Sequence, residues 1–245
     1  MKTRNYLLLF VPLFMLVACK KDPVTKPVHF TSTTYKNLEA YDPSTGTPQV
    51  LLHDTISSDL MSFIYSTLPD GKNLTLSHPE FFKNPEIGDI TITKKSEVFI
   101  TFVSGDSRNS NSIAFYTYPT NQPPATAKDV QTITYVFPNA GHLTGLQAGD
   151  KVSLGTFNVG TSLGFVLMEN AWDTTNHTLN NEAVHFCTND ALNPEVDPNL
   201  KKHAVLINYP AENKVLIGFE DTDRTKPQCD NDFNDVVLYC TVVPQ

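Results

Sequence analysis

The densest group of side chains able to do chemistry lies near the C-terminus, between two apolar runs. The sixteen residues 220–235 include six acids: Glu220, Asp221, Asp223, Asp230, Asp232 and Asp235. Only Arg224 and Lys226 oppose them, so the local charge is 2 − 6 = −4. Two unit charges about 4 Å apart repel by roughly 1 kcal/mol in water and about 4 kcal/mol near a protein surface. A hairpin that crowds these carboxylates is therefore expected to bind a divalent cation.

The donor types in this hairpin favour calcium. Residues 206–245 contain no histidine, and zinc prefers histidine or cysteine ligands, whereas calcium accepts 6–8 oxygens in flexible geometry. The spacing Asp230-x-Asp232-x-Asn234 resembles the opening of many calcium loops. It is not an EF-hand, because Asp235 replaces the required glycine and Thr241 the final acid. The predicted ligands are Glu220, Asp221, Asp230, Asp232, Asn234 and Asp235.

Two other interpretations of the acidic segment stay open. It is also typical of a solvated acidic turn, and two of its carboxylates could serve as the acid and base of a glycosidase. No GxSxG, HExxH or glycine-rich phosphate motif is present, so we expect no enzyme activity. The single tryptophan, Trp172, could stack on a sugar ring as a weak ligand-binding residue, or pack in the core.

The N-terminus has the pattern of an export signal. Lys2 and Arg4 precede an apolar run over residues 6–17, which is too short for an ordinary membrane-spanning helix. Residues 16–19 resemble the lipobox of bacterial lipoproteins, which implies cleavage after residue 18 and lipidation of Cys19. An ordinary secretory signal is the alternative. The acyl chains would hold the protein on a membrane.

Residues 20–22 resemble export tags of Bacteroidetes surface lipoproteins, so we expect a surface-exposed protein of the bacterial outer membrane. Residues 19–50, with the lipidated cysteine, are rich in Thr, Ser and Pro and are predicted to be a flexible tether before a domain over 51–245. Three further cysteines remain, at 187, 229 and 240. A disulfide from Cys187 to either of the others is possible, and free thiols are the alternative.

One helix and a series of strands should position the acidic hairpin. Leu60, Met61, Ile64 and Leu68 share a helical face, and Ser57 is suited to cap that helix. Runs rich in β-branched and aromatic residues then predict strands at 97–103, 113–118, 132–137, 151–157, 163–168, 204–208, 215–219 and 236–243. This order predicts an all-β fold, an antiparallel β-sandwich or jelly roll with one short N-terminal helix.

Composition excludes several classes of protein. The 245 residues are 40% hydrophobic and 18% charged, so there is enough apolar mass for a core and neither wholesale disorder nor a coiled coil is expected. The formal net charge of −8 argues against a nucleic-acid partner, which would require a basic face.

Several segments together resemble one family, the bacterial domain of unknown function numbered 4114, found in exported proteins and lipoproteins, often beside a so-called LruC region. The likeness runs from about Leu68 to Val243, and its most specific parts are the Phe-Glu-Asp of 219–221 and the Asp-Phe-Asn-Asp of 232–235. Weaker matching segments are 113–119, 137–140, 149–157, 169–172, 192–195 and 203–206. The resemblance implies an exported β-rich domain with a suspected calcium site and no reaction. Residues 208–210 depart from the family pattern, because no acid follows Asn208.

Together these features predict a membrane-anchored bacterial surface lipoprotein with a calcium-stabilised β-sandwich, used for binding or adhesion. A glycan or another surface protein is the expected partner. The alternative is a carbohydrate-active enzyme, or its accessory module, that uses the acidic hairpin. A structural envelope protein with no ligand beyond the ion is a third interpretation.

Overall fold

The computed structural model of the protein describes residues 25–26, 28–83 and 87–245. The predicted signal peptide (1–18), Cys19 and the predicted export tag (20–22) lie outside the described residues. No helix in the described part of the chain has both the length and the apolar character that crossing a membrane requires.

The described residues form fourteen strands and three short α-helices. The strands are β1 (Thr34–Asn37), β2 (Leu52–His53), β3 (Ile90–Thr91), β4 (Ser96–Gly105), β5 (Ser112–Pro119), β6 (Thr132–Phe137), β7 (Asp150–Phe157), β8 (Thr161–Met168), β9 (Trp172–Asp173), β10 (Thr178–Leu179), β11 (His185–Cys187), β12 (Ala204–Tyr209), β13 (Lys214–Phe219) and β14 (Val236–Pro244). The helices are α1 (Ser58–Thr67), α2 (Leu74–Ser77) and α3 (Glu80–Lys83).

Two six-stranded sheets make the sandwich. Sheet A has the order β1-β6-β5-β8-β11, with β3 also paired to β8, and sheet B has the order β12-β13-β14-β4-β7-β2. All of these pairs are antiparallel except β1 with β6, which is parallel. The hairpin β9-β10 stands apart from both sheets. The predicted all-β sandwich is confirmed.

The main core lies between the sheets because side chains alternate along each strand. In β14, Leu238 and Cys240 belong to this core, whereas Val237 and Tyr239 belong to a second cluster on the outer face of sheet B. In β8, Phe165 faces inward in the same way. A third apolar cluster covers the outer face of sheet A.

Helix α1 covers the outer face of sheet B. The buried residues Leu60, Ile64 and Leu68 contribute to the apolar cluster on that face. The predicted cap is confirmed, since the Leu60 backbone amide donates to Ser57 Oγ at 3.1 Å. The helix ends before the turn at Gly71, whose φ of +64° lies in the left-handed region that glycine adopts readily.

All eight strands predicted from apolar runs are present within a residue or two of their predicted ends. The structure adds six strands of two to four residues and two helices of four residues, α2 and α3, where the prediction had one helix. Such short elements span too few residues to show a hydrophobic period, so pairing with neighbours rather than sequence pattern defines them.

The predicted tether, residues 19–50, is in part a component of the sandwich. Strand β1 pairs with β6, placing Thr34 opposite Thr132 and Tyr35 opposite Ile133. Phe30 is 6% exposed and stacks on His185 with 4.3 Å between ring centroids. The tether prediction is therefore wrong for residues 30–37, because partners about a hundred or more residues later in the chain order this segment.

Candidate metal centre

The acidic loop, residues 220–235, joins two neighbouring strands of sheet B. Strands β13 and β14 pair with Phe219 opposite Val236, so the two ends of the loop lie side by side. On the other side of β14, the register with β4 shifts between Val237 and Leu238, which leaves Val103 as an extra residue in a β-bulge. The Asp106 amide donates to the Asp235 carbonyl at 3.0 Å. The segment that follows β4 therefore runs beside the acidic loop.

Five of the six predicted ligands converge in two groups of carboxylates. One group contains Glu220, Asp230 and Asp232, and the other contains Glu220, Asp221 and Asp235. In each group, one oxygen of every residue lies within 4.8 Å of the others. The sixth predicted ligand, Asn234, donates its backbone N–H to Asp232 Oδ1 at 3.2 Å. These groups could hold a metal ion, and calcium binding stays a prediction.

Glu220 is the common member of both groups. It is 2% exposed, and its Oε2 atom is buried without a hydrogen-bond partner. The backbone carbonyl oxygen of Glu220 lies 3.0 Å from His203 Nδ1, and this hydrogen bond holds the backbone in place. Burial raises the pKa of the Glu220 carboxyl well above its usual range, and the charges of Asp230 and Asp232 raise it further. A buried acceptor without a partner is costly, so this oxygen is suited to a cation.

Asp232 and Asp235 also lie in surroundings that disfavour an ionised carboxylate. Burial raises the pKa of the Asp235 carboxyl far above its ordinary value, and repulsion from Asp221 and Glu220 adds to this shift. Burial likewise raises the pKa of Asp232. Within the folded loop, burial and mutual repulsion therefore favour a protonated carboxyl or a carboxylate paired with a metal cation.

Asp221 is fixed by a polar segment that the sequence did not single out. Its Oδ2 atom accepts hydrogen bonds from Asn111 Nδ2 at 2.6 Å, from Asn109 Nδ2 at 3.1 Å and from the Ser107 hydroxyl. These donors lie between β4 and β5, more than a hundred residues before Asp221. Three donors to one oxygen suit an ionised carboxylate held in one orientation. The only sequence signal was the polar run over 107–111.

In the second half of the acidic loop, the backbone conformation alternates from one residue to the next. Asn231 and Phe233 both have φ of 60°, so every second residue between Asp230 and Asn234 has a left-handed backbone conformation. Phe233 is fully buried and anchors the loop in the outer cluster of sheet B. A side chain at Gly218 would place its Cβ 2.4 Å from the Phe233 carbonyl oxygen, so this close approach requires glycine.

The turn after α1 also supports the loop. The Gly71 amide donates to Asp232 Oδ2 at 2.7 Å, and the Leu74 amide donates to the Asn231 carbonyl at 2.9 Å. Asp232, itself 2% exposed, is thus oriented by two backbone amides, since Asn234 supplies the second. The helical region that covers sheet B therefore helps to shape the acidic site.

Arg224 is a buried positive charge within the acidic loop. It is 7% exposed, and its guanidinium lies 5.5 Å from the ring centroids of Phe82 and Phe233. Its Nε donates to Asn231 Oδ1 at 2.7 Å and its Nη1 to the Lys202 carbonyl at 3.0 Å. Arg224 supplies a single positive charge against five converging acids, so it cannot balance all of them when they are ionised.

Trp172 is not a surface platform for a sugar. It is 2% exposed, with its ring edge-on to Tyr41 at 5.9 Å and stacked on His177 at 6.3 Å. The weak ligand-binding prediction for Trp172 is therefore wrong, because neighbouring side chains cover the indole. Its backbone N–H donates to the Ser110 carbonyl at 3.0 Å, so it supports the segment that holds Asp221.

The three cysteines of the described residues are free thiols. Cys240 points into the core between the sheets, and Cys187 lies in the cluster on the outer face of sheet A. Cys229 lies in the acidic loop, where burial and the nearby Glu220 raise its pKa. The disulfide alternatives for Cys187 are not realised, because the two fully buried thiols belong to different layers.

Comparison with known proteins identifies the part of the chain that contains the acidic loop. No curated protein and no solved structure matches the chain. The link to LruC-type lipoproteins stays a prediction. Residues 157–242 match the family described as Domain of unknown function (DUF4114), which confirms the resemblance over that range, and the structure of these residues is rich in β-strands.

Proposed function

We propose that this protein is a bacterial surface lipoprotein whose β-sandwich binds calcium through the acidic loop and serves as a binding or adhesion module. The observation that carries the calcium proposal is the Glu220 carboxylate, which is buried at the meeting point of two groups of acids with Oε2 unpaired. The proposed ligands are Glu220, Asp221, Asp230, Asp232, Asn234 and Asp235. All of them offer oxygen, which calcium prefers.

Calcium binding would remove a large electrostatic cost of folding. Carboxylates about 4 Å apart repel by about 4 kcal/mol per pair near a protein surface, and a divalent ion between them converts repulsion into attraction. Because the unfolded chain does not hold these acids together, the ion would bind the folded state and stabilise it by linkage.

Calorimetric titration of the purified full-length protein with Ca²⁺ tests the proposal. We expect heat of binding in the wild type and its loss in Glu220→Gln, which keeps the side-chain shape but removes the shared charge. The matched control is Glu182→Gln, which neutralises an exposed acid outside the acidic loop. Equal binding by Glu220→Gln and the wild type would contradict the proposed site.

The spacing of the acids favours an ion site over glycoside hydrolysis. Retaining glycosidases hold their two carboxyl groups about 5–5.5 Å apart and inverting enzymes about 6.5–9.5 Å apart. In both groups here, the contributing oxygens lie within 4.8 Å of one another. We therefore infer that the acidic loop is an ion site rather than the acid and base of a glycosidase. Polysaccharide turnover that disappears in Asp232→Asn, with the melting temperature unchanged, would support the enzyme alternative instead.

A cavity beside the acidic loop supports the proposed binding role. It has a volume of about 220 Å³ and lies against Asp223 and Lys226 of that loop. Val28, Val184 and Phe186 supply apolar walls, so the cavity suits a small group with both polar and apolar parts, such as one sugar ring or one side chain of a surface protein. A glycan array probed with and without calcium tests the glycan, and the absence of binding would favour a structural envelope protein.

Membrane anchoring is proposed from the N-terminal pattern. Residues 16–19 supply the lipobox-like segment, and Cys19 would carry the acyl chains that hold the protein on the outer membrane. Incorporation of labelled fatty acid in bacterial cells is expected for the wild type and is expected to be lost in Cys19→Ser. Equal labelling of both proteins would contradict lipidation at this residue.

A further inference from the structure

The two groups of acids in the loop overlap at a single residue. We propose that the loop holds two divalent cations rather than one, with the Glu220 carboxylate shared between them. The first cation would bind Glu220, Asp230 and Asp232, and the second would bind Glu220, Asp221 and Asp235. This inference rests on the proposed calcium function and adds the number and arrangement of the ions.

The geometry separates the two groups. The oxygens of each triad lie within 4.8 Å of one another, and only Glu220 takes part in both triads. Asp230 and Asp232 belong to the second half of the loop, whereas Asp221 and Asp235 lie at its two ends. A carboxylate has two oxygens with about four acceptor positions, so Glu220 can contact two ions at once. Its Oε2 atom is buried and unpaired.

Each group keeps acceptor capacity that the protein itself does not use. Asp235 accepts the Asp221 amide through Oδ2 at 2.8 Å, which leaves Oδ1 for an ion. Asp221 uses Oδ2 for its three strong donors, and Oδ1 accepts only the Thr222 hydroxyl at 3.2 Å. In the other group, Asp230 accepts one long bond through Oδ1, at 3.4 Å from the Asp232 amide.

Charge balance also favours two ions when all five converging carboxylates are ionised. The five converging carboxylates carry −5 and the buried Arg224 carries +1, which leaves −5 + 1 = −4. One divalent cation would leave −2 among side chains that are mostly buried, whereas two divalent cations would give zero. Uncompensated buried charge is strongly disfavoured, so full occupancy by two cations is the balanced state.

Calcium stoichiometry tests this inference. The full-length protein is equilibrated with Ca²⁺ up to several millimolar, above the range in which extracellular calcium modules bind, and bound calcium is counted by native mass spectrometry and by metal analysis after dialysis. We expect two ions per chain in the wild type and in the control Glu182→Gln. One ion is expected in Asp235→Asn and one in Asp230→Asn, because each variant lacks a ligand of one group only.

The outcomes separate this inference from the calcium proposal itself. One ion per wild-type chain would overturn the two-cation arrangement and leave the calcium site standing, whereas none would overturn both. If Asp235→Asn and Asp230→Asn each lose both ions while circular dichroism shows intact folds, the division into two groups is wrong. The wild-type count decides the number of ions even if a variant fails to fold.

Discussion

Glu220 and Asp221 are adjacent in sequence, yet their side chains have opposite surroundings. Asp221 is held by three donors from the segment after β4, whereas Glu220 Oε2 has no donor at all. The sequence could predict that acids of the right type meet in a hairpin. It could not predict which acid is satisfied, because Ser107, Asn109 and Asn111 lie over a hundred residues away and their pairing depends on the folded sheet.

His185 makes a residue-scale prediction about pH. Its ring is buried between Phe30 and Tyr35, with Nε2 2.8 Å from the Tyr35 hydroxyl and Nδ1 2.7 Å from the Ala183 carbonyl. Burial lowers the pKa of His185 from 6.5 to about 4. Between these values, the unfolded chain binds a proton that the folded protein does not, so stability falls as the pH drops through this window.

Comparison of urea unfolding at pH 6.5 and pH 4 measures this effect. The His185 contribution corresponds to a loss on the order of 3 kcal/mol across the window, and His185→Gln should remove that part of the pH dependence. The other titrating groups contribute equally to the pH dependence of both proteins, so their contribution cancels when the variant is compared with the wild type. The exposed His142→Gln is the matched control and should keep the wild-type slope. An unchanged slope in His185→Gln would contradict the account.

At the scale of elements, the length of a strand determined whether its sequence pattern could predict it. Strands such as β4 and β14 have nine or ten residues with clear alternation, and they were predicted close to their actual ends. Strand β1 has only four residues, and its place beside β6 depends on a parallel pairing that no local pattern encodes. Strand β1 and the segment before it therefore lie within the predicted tether, residues 19–50, although Phe30 is buried there.

The buried N-terminal segment makes a prediction at this scale. Phe30→Ala should destabilise the protein by about 3–5 kcal/mol, because it removes a buried aromatic ring and leaves a cavity beside His185. The free energy of unfolding in urea measures this loss. Ser32→Ala, an exposed position in the same segment, should cost less than about 0.5 kcal/mol. Equal stability of the two variants would show that the segment behaves as a free tether.

At the scale of the whole molecule, the sandwich extends beyond the family match. The match covers residues 157–242, but β14 pairs with β4 and β8 pairs with β5, and both of these partners precede that range. The donors to Asp221 also precede it. The acidic site is therefore assembled by strands and loops on both sides of the start of the family match.

Thermal unfolding of the full-length protein, in saturating calcium and in excess chelator, tests the central claim most directly. A ligand at 100 times its dissociation constant stabilises the folded state by about 2.7 kcal/mol, and 1 kcal/mol shifts the melting temperature of a domain of this size by about 2–4 °C. We predict a melting temperature about 5–10 °C higher in calcium, with little difference between the two conditions in Glu220→Gln. Coincident wild-type curves would contradict a calcium-stabilised sandwich.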